Sequence, residues 1–286
     1  MIAVILAAGM ASRLRPLTDD KPKCLLEIGN RCLLQRTMDA LVAAGIDEYV
    51  VVTGYRGEMI RQFLTEHYNL MPMSFLPSEG RLTIHFVDNP DYATTNNIYS
   101  LWLTRPYVNG SDFLLLDSDI LFDPAVVERV LQQDRAHHHD SSPLAVEGLG
   151  VYHHDSPPLL GEGLGAGSVL ALSRHELGEE EIKVIIDEAG KVAELSKTCS
   201  ISKAIGESIG IEKITVDYSL ALFQELRLMI NGEKLVDVFY ERAFERLIPQ
   251  GYQFGIVDTT DLFSIELDTV EDFQNAQKLI PAALYS

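Results

Sequence analysis

The 286-residue sequence predicts an α/β fold of three layers (αβα), with helices on both faces of a mixed, mostly parallel sheet. Three observations predict it. Short apolar runs alternate with amphipathic stretches of helical length throughout the first half. Strands separated by helices of that size imply βαβ units. The second half instead carries short strands and a hairpin turn, which add antiparallel strands to the same sheet.

Element by element, Ile2–Leu6 reads as a buried strand, Leu33–Ala44 as an amphipathic helix and Tyr49–Thr53 as a strand. Helix Gly57–Tyr68, strand Leu82–Asp88, a short helix at Ile98–Leu103, strand Phe113–Leu116 and helix Pro124–Gln133 follow. Later come strands Val169–Ser173, Lys183–Asp187 and Val192–Leu195, the last two joined by Glu188-Ala189-Gly190. Helices Thr215–Asn231 and Leu235–Ile248, strands Tyr252–Val257 and Phe263–Leu267, and helix Val270–Leu279 complete the series. No Pro/Gly/Ser-rich linker divides the chain. The expectation is one domain: a nucleotide-binding half at about 1–133, a mobile insertion at about 135–167 and an acceptor-binding half at about 168–286.

Composition excludes several classes. The hydrophobic content of 47% suits a soluble protein with a sizeable core, and no apolar run reaches membrane-spanning length. Met1–Ala8 has no basic region before it and reads as a strand, not a signal peptide. Cys24, Cys32 and Cys199 form neither a metal-ligand spacing nor an even disulfide set, which points to the cytoplasm. A net charge of −19 argues against nucleic-acid binding. It also means that a phosphate site must be made by a few converging cations. One segment stands apart: His138-His139-Asp140-Ser141-Ser142-Pro143-Leu144 recurs as His153-His154-Asp155-Ser156-Pro157-Pro158-Leu159, and reads as an exposed surface loop. His137 to His139 with His153 and His154 have the composition of a metal-binding tract.

The chemistry is concentrated in a few places. Leu6-Ala7-Ala8-Gly9-Met10-Ala11-Ser12-Arg13-Leu14-Arg15-Pro16-Leu17-Thr18, followed by Pro22-Lys23, opens a strand into a small-residue turn. Small side chains let backbone N–H groups approach an anion. Ser12 adds a hydroxyl, Arg13 a planar fork for phosphate oxygens, and Lys23 a compact charge. No Gly-Lys-Ser/Thr follows, so this is not a Walker A loop. Asp117-Ser118-Asp119 directly follows an apolar run, at the strand end where such sheets bind ligands. Mg²⁺ takes one or two such carboxylates together with phosphate oxygens and water. Glu266 and Asp268 lie two residues apart at another strand end, although Asp268 would also serve as a helix cap, with Glu271 and Asp272 as solvated first-turn acids. In Asn89-Pro90-Asp91-Tyr92-Ala93-Thr94-Thr95-Asn96-Asn97-Ile98-Tyr99-Ser100-Leu101, paired amides can read a base edge or cap a helix.

The N-terminal segment resembles the signature of nucleotidyltransferases that activate sugar 1-phosphates and related phosphate esters, L-A-A-G-x-G-x-R-L-x-P-L-T then P-K, with Ala11 where glycine is usual. The resemblance runs along most of the chain and implies a Rossmann-like, GT-A-like nucleotidyltransferase fold. It implies nucleotide binding by Leu6, Ala7, Ala8, Gly9, Ser12, Arg13 and Lys23, with Arg13, Lys23 and Asp119 as catalytic residues. It places Mg²⁺ on Asp119 and Asp268, with Glu266 able to join, and gives Asp117 a supporting or ribose-contacting role.

The stretch from Asn89 through Asn96, Asn97 and Ser100 is similar to the Y-x-x-x-N-N-x-Y-S-L segment of phosphocholine cytidylyltransferases, which implies CTP as donor. The segment from Gly232 to Glu241 resembles that subgroup's acceptor-binding helix, implying Asp237, Tyr240 and Glu241 around a cationic head group. Trp and Asp are usual where Tyr240 and Glu241 stand, so a primary ammonium, as in 2-aminoethylphosphonate, would suit equally; an amphipathic helix with exposed acids is the structural alternative. Lys197 is similar to the lysine that binds the acceptor's phosphate, and Gly210 to a glycine lining the acceptor pocket. The implied reaction is attack of a small phosphate or phosphonate on the α-phosphorus of a nucleoside triphosphate, with release of pyrophosphate. A sugar-1-phosphate nucleotidylyltransferase and a catalytically silent regulatory homologue are the competing readings.

Overall fold

The computed structural model describes residues 1–68, 82–132 and 167–285. The duplicated His-rich segment, on which the surface-loop and metal expectations fall, lies outside the described residues. From the N-terminus, β1 (Ile2–Ala7) is followed by β2 (Glu27–Ile28), β3 (Arg31–Cys32), α1 (Leu33–Ala43), β4 (Glu48–Thr53), α2 (Gly57–His67) and β5 (Thr83–Asp88). Next come α3 (Asn97–Leu103), α4 (Arg105–Val108), β6 (Phe113–Asp117), β7 (Ile120–Phe122) and α5 (Ala125–Gln132). The later part adds β8 (Val169–Ser173), β9 (Lys183–Ile186), β10 (Val192–Ser196), β11 (Gly206–Ile214), α6 (Val216–Arg227) and α7 (Glu241–Leu247). It ends with β12 (Gly255–Asp258), β13 (Ser264–Glu266), α8 (Val270–Leu279) and α9 (Ala282–Tyr285).

The central sheet has nine strands in the path β10-β9-β11-β6-β1-β4-β5, with β8 joined to β11 and β12 to β8. The pairs β1–β4, β1–β6, β4–β5 and β8–β12 are parallel, while β11 runs antiparallel to β6, β8 and β9, and β10 to β9. Only β10 and β11 therefore oppose the other strands, and the sheet is mixed and mostly parallel. Alternation along each strand separates two cores. Val4, Leu6, Val50, Val52, Phe113 and Leu115 face a layer containing α3, α6 and α7. Ala3, Ile5, Tyr49, Val51, Leu114 and Leu116 face α1, α2 and α5. These are the three layers predicted.

The chain's last third returns to its beginning. β13 pairs antiparallel with β7, Glu266 lying opposite Ile120, and the Leu267 amide donates to the Asp119 carbonyl at 3.0 Å. Ile28, Leu33, Leu121, Leu267 and Ala276 close a third apolar cluster beneath this junction. β7, β2 and β3 are too short to leave a periodic signal in sequence, yet β7 is what draws the two ends together.

One expected helix and one expected residue role differ. The helix predicted over Leu235–Ile248 begins only at Glu241. Upstream, α6 passes into a π-helical turn at Leu228–Gly232, and Lys234 adopts a left-handed φ of 63° that breaks the helical path. Residues 235–240 then run along α3: the Asn96 amide donates to the Val236 carbonyl at 2.8 Å, and the Tyr240 amide to Asn97 Oδ1 at 2.9 Å. Asp272, expected to be a solvated acid, is instead the reciprocal partner of Thr269 in the capping box of α8, at 3.2 Å and 2.7 Å. Among the described residues no helix is long and apolar enough to cross a membrane.

Candidate active site

A cleft of about 270 Å³ opens at the carboxyl ends of β1 and β6. Leu6, Ala7, Ala8, Gly9, Ala11 and Arg13 form one side of it. The turn is held from within: the Leu14 amide and Thr18 Oγ1 both donate to the Ala11 carbonyl, at 3.0 Å and 2.9 Å. Ala11, standing where the resembled signature has glycine, is left-handed at φ 47°, so its methyl is carried at some strain. A Cβ built on Gly9 would meet nothing within 4 Å, so this glycine leaves open space beside the turn where protein packing does not require one.

Four charged side chains from three distant parts of the chain meet at the mouth. Lys23 Nζ donates to Asp119 Oδ2 at 3.0 Å and to Asp268 Oδ1 at 2.9 Å, and Arg13 Nη2 donates to Asp268 Oδ2 at 2.6 Å. Burial opposes the lysine's charge, but the two carboxylates outweigh it and hold the ammonium well above its ordinary range. Burial would likewise raise Asp268, yet Lys23 and Arg13 hold it below the usual carboxylate range. The capping alternative for Asp268 is removed, because Thr269 caps α8.

Glu266 joins this group. It, Asp119 and Asp268 each offer an oxygen within 4.8 Å of the others. Desolvation, then the charges of Asp119 and Asp268, push Glu266 up to about 8. Asp119 Oδ1 is buried with no hydrogen-bond partner. Three hard oxygen donors with a spare buried lone pair fit a Mg²⁺-type ion.

The floor is a second group of acids. Tyr240 is fully buried, its hydroxyl 3.0 Å from Asp117 Oδ2 and 3.3 Å from Glu212 Oε2, while Ser208 Oγ donates to Glu212 Oε1 at 3.1 Å. Burial raises Asp117 well above its ordinary range, helped by neighbouring carboxylates. Burial and Glu241 push Glu212 up to about 8, and burial takes Glu241 to about 7. The floor thus carries less negative charge at neutral pH than its carboxylates would suggest, which matters for a site expected to take anions.

Gly210 shapes this floor. It lies at φ 71° where the β11–β8 register shifts between Ser208 and Glu212, and a Cβ there would sit 2.9 Å from Asp117 Oδ2 and 3.1 Å from Ile120 Cδ1. Gly210→Ala is expected to cost roughly 1–3 kcal/mol, from left-handed strain plus the clash. A lowered denaturant midpoint would register it; an unchanged midpoint would show that β11 relaxes freely.

Asn89, Asn96, Asn97 and Ser100 line the opposite wall, with much of their bonding capacity used by the fold. Asn89 Nδ2 donates to Thr95 Oγ1 and Ser100 Oγ at 3.1 Å and 3.2 Å, and Asn96 caps α3 by accepting from the Asn97 amide at 2.8 Å. The far end of the cleft is made by Glu180, Ile182, Lys197, Glu207, Phe239 and Glu241. Lys197 Nζ lies 4.7 Å from the centroid of the Phe239 ring and 3.3 Å from Glu180 Oε2.

Of the residues singled out in sequence, the cleft gathers the N-terminal turn, Lys23, the asparagines, Ser100, Asp117, Asp119, Lys197, Gly210, Glu241, Glu266 and Asp268. Ser12, Asp237 and Tyr240 do not line it: Ser12 and Asp237 are exposed elsewhere, and Tyr240 lies beneath the floor. A helix over 235–248 would set Asp237, Tyr240 and Glu241 on one face. The non-helical path turns Phe239 to the cleft instead. Phe239 was missed for that reason; Glu180 sits in an irregular turn with no local signature, and Glu207 lies on β11, where only Gly210 was singled out.

The comparisons with known proteins agree with this architecture. The chain is 37% identical over 128 residues to the CMP-5'-(3-aminopropyl)phosphonate synthase of Streptomyces rubellomurinus, covering 45% of this chain and 18% of that protein. It is 44% identical over 147 residues to the UTP–glucose-1-phosphate uridylyltransferase of Haloferax volcanii, covering 51% of this chain and 54% of that protein. The chain thus spans less than two thirds of the length of either relative. The structure of the CTP:phosphocholine cytidylyltransferase of Streptococcus pneumoniae superposes with a TM-score of 0.69 at 19% identity, covering 98% of this chain and 99% of that one, and so shares the Rossmann-like fold. With the nucleotidyl transferase model matching residues 2–153, the chain belongs to that family.

Proposed function

We propose that this chain transfers a nucleotidyl group, CMP from CTP in the favoured reading, to the phosphate or phosphonate oxygen of a small acceptor bearing a cationic group. The observation that carries the transferase reading is the meeting of Arg13 and Lys23 with Asp119 and Asp268 at 2.6–3.0 Å beside an open small-residue turn. Arg13 and Lys23 hold the triphosphate, and Lys23 offsets charge that develops at the α-phosphate. Asp119 and Asp268, with Glu266 beside them, are the residues that would hold Mg²⁺, which when bound supplies further charge neutralisation there. Asn89, Asn96, Asn97, Ser100 and Asp117 border the base and ribose. A phosphate monoester is largely ionised at neutral pH, its second pKa lying near 6, so the acceptor needs no general base. Alignment within the cleft supplies the remaining acceleration. In this reading residues 1–133 and 168–286 act as donor and acceptor halves of a single domain.

The far end of the cleft supports a cationic acceptor. An ammonium, that of Lys197, already rests between the Phe239 ring and the Glu180 carboxylate, with Glu207 and Glu241 nearby. The aminopropylphosphonate relative points the same way. The uridylyltransferase relative favours a second reading, transfer to a sugar 1-phosphate. A pyrophosphate-release screen separates them: CTP, UTP, GTP, ATP and dTTP are each paired with phosphocholine, 2-aminoethylphosphonate, glycerol phosphate and sugar 1-phosphates. Release with CTP and a cationic acceptor is the expected outcome. Release with sugar phosphates alone would replace the acceptor assignment, and no release with any pair would favour a regulatory homologue.

A further inference from the structure

Lys183 is a fully buried lysine that the reaction does not use. It opens β9, opposite Ser196 of β10 and Glu207 of β11, and only 1% of its surface is exposed. Its Nζ donates to three main-chain carbonyls: Glu179 at 3.1 Å, Glu181 at 3.2 Å and Lys197 at 2.7 Å. An ammonium has three N–H donors, and all three are used.

The choice of carbonyls is informative. Two of them flank Glu180 on either side, and the third belongs to Lys197 itself. Glu180 and Lys197 are the two side chains that pair across the far end of the cleft, at 3.3 Å. A single buried charge therefore pins the backbone of both partners, which lie in separate turns 17 residues apart. In a chain of net charge −19 and only 23 basic residues, a lysine is spent here on fixing turn geometry. An apolar side chain would fill the same space but leave three inward-facing carbonyls without a partner.

We propose that Lys183 is a positioning residue for the acceptor: it sets the Lys197 and Glu180 turns at the spacing that receives the acceptor's two charged ends. This rests on the acceptor-end reading given above. A lysine that merely closed the β9–β10 hairpin would affect both substrates alike or neither.

The test is a double-mutant cycle in the full chain, with CTP and either phosphocholine or 2-aminoethylphosphonate, using Lys183→Met, Lys197→Ala and the pair. Lys197→Ala should raise the acceptor KM about tenfold, and Lys183→Met about fivefold or more, with the CTP KM within about twofold in both. The pair should lose less than the two single losses combined, because part of what Lys183 does passes through Lys197. Where Lys183→Met does not fold, Lys183→Gln, which keeps a donor, is read in the same way. Equal rises in both KM values, or fully additive losses, would overturn the positioning role. An acceptor KM unmoved by Lys197→Ala would instead overturn the acceptor-end reading itself.

Discussion

Asp119→Ala is expected to lower turnover by roughly 10²–10³-fold or more while leaving the fold in place. Its carboxylate touches Lys23 at 3.0 Å and stands with Glu266 and Asp268 in the acidic group at the cleft mouth. What Asp119 contributes to architecture is its carbonyl, which accepts from the Leu267 amide at 3.0 Å and survives in alanine. Its side chain retains 26% exposure, so truncation leaves no buried void of consequence. Lys23 keeps Asp268 as a partner. Steady-state pyrophosphate release, with thermal unfolding as control, separates chemistry from folding. Turnover within a few-fold of the parent would remove Asp119 from the reaction, and a collapsed unfolding transition would make it a structural residue.

Lys23→Met should produce two effects of opposite sign. Turnover should fall by roughly 10²–10³-fold, since the proposed function sets this charge against the α-phosphate. Binding of Mn²⁺ in the absence of nucleotide should strengthen by about tenfold or more, equivalent to about 1.4 kcal/mol. The reason is competition: the ammonium holds one oxygen each of Asp119 and Asp268, and a cation entering their site must displace or be repelled by it. Nucleotide phosphates would draw Lys23 away, so in the parent Mn²⁺ should bind appreciably only together with a nucleoside triphosphate. Electron paramagnetic resonance titration of Mn²⁺, with and without CTP, reads this directly. Unchanged or weaker Mn²⁺ binding by the variant would show that Lys23 and the cation do not compete. Chelator-resistant turnover in the parent would remove the metal from the reaction altogether.

Much of what the N-terminal turn brings to the cleft is legible in the sequence itself. The turn from Leu6 to Arg13 is contiguous, its small residue types suit backbone approach to an anion, and the strand before it is marked by an apolar run. The far end of the cleft is less legible. Asp237, Tyr240 and Glu241 have helical spacing, and periodicity alone places them on one face. Lys234 at φ 63° and the contacts of residues 236 and 240 with Asn96 and Asn97 override that periodicity. They leave Glu241 at the cleft, Tyr240 in the floor and Phe239 on the wall. The asparagines show the converse: their residue types suit both a cap and a base-reading edge, and Asn96 both caps α3 and faces the cleft.

Local pattern therefore sufficed for the α/β class, for most of the longer strands and helices and for the small-residue turn, because each is encoded within about ten residues by periodicity or by small side chains. Long-range packing alone settled which charges meet. Lys23 reaches Asp119 and Asp268 across 96 and 245 positions, through the pairing of β7 with β13 and the apolar cluster beneath it. No local periodicity specifies that meeting. It follows from burying Leu121, Leu267 and Ala276 together, and the charges converge because the backbone that carries them is fixed by that burial.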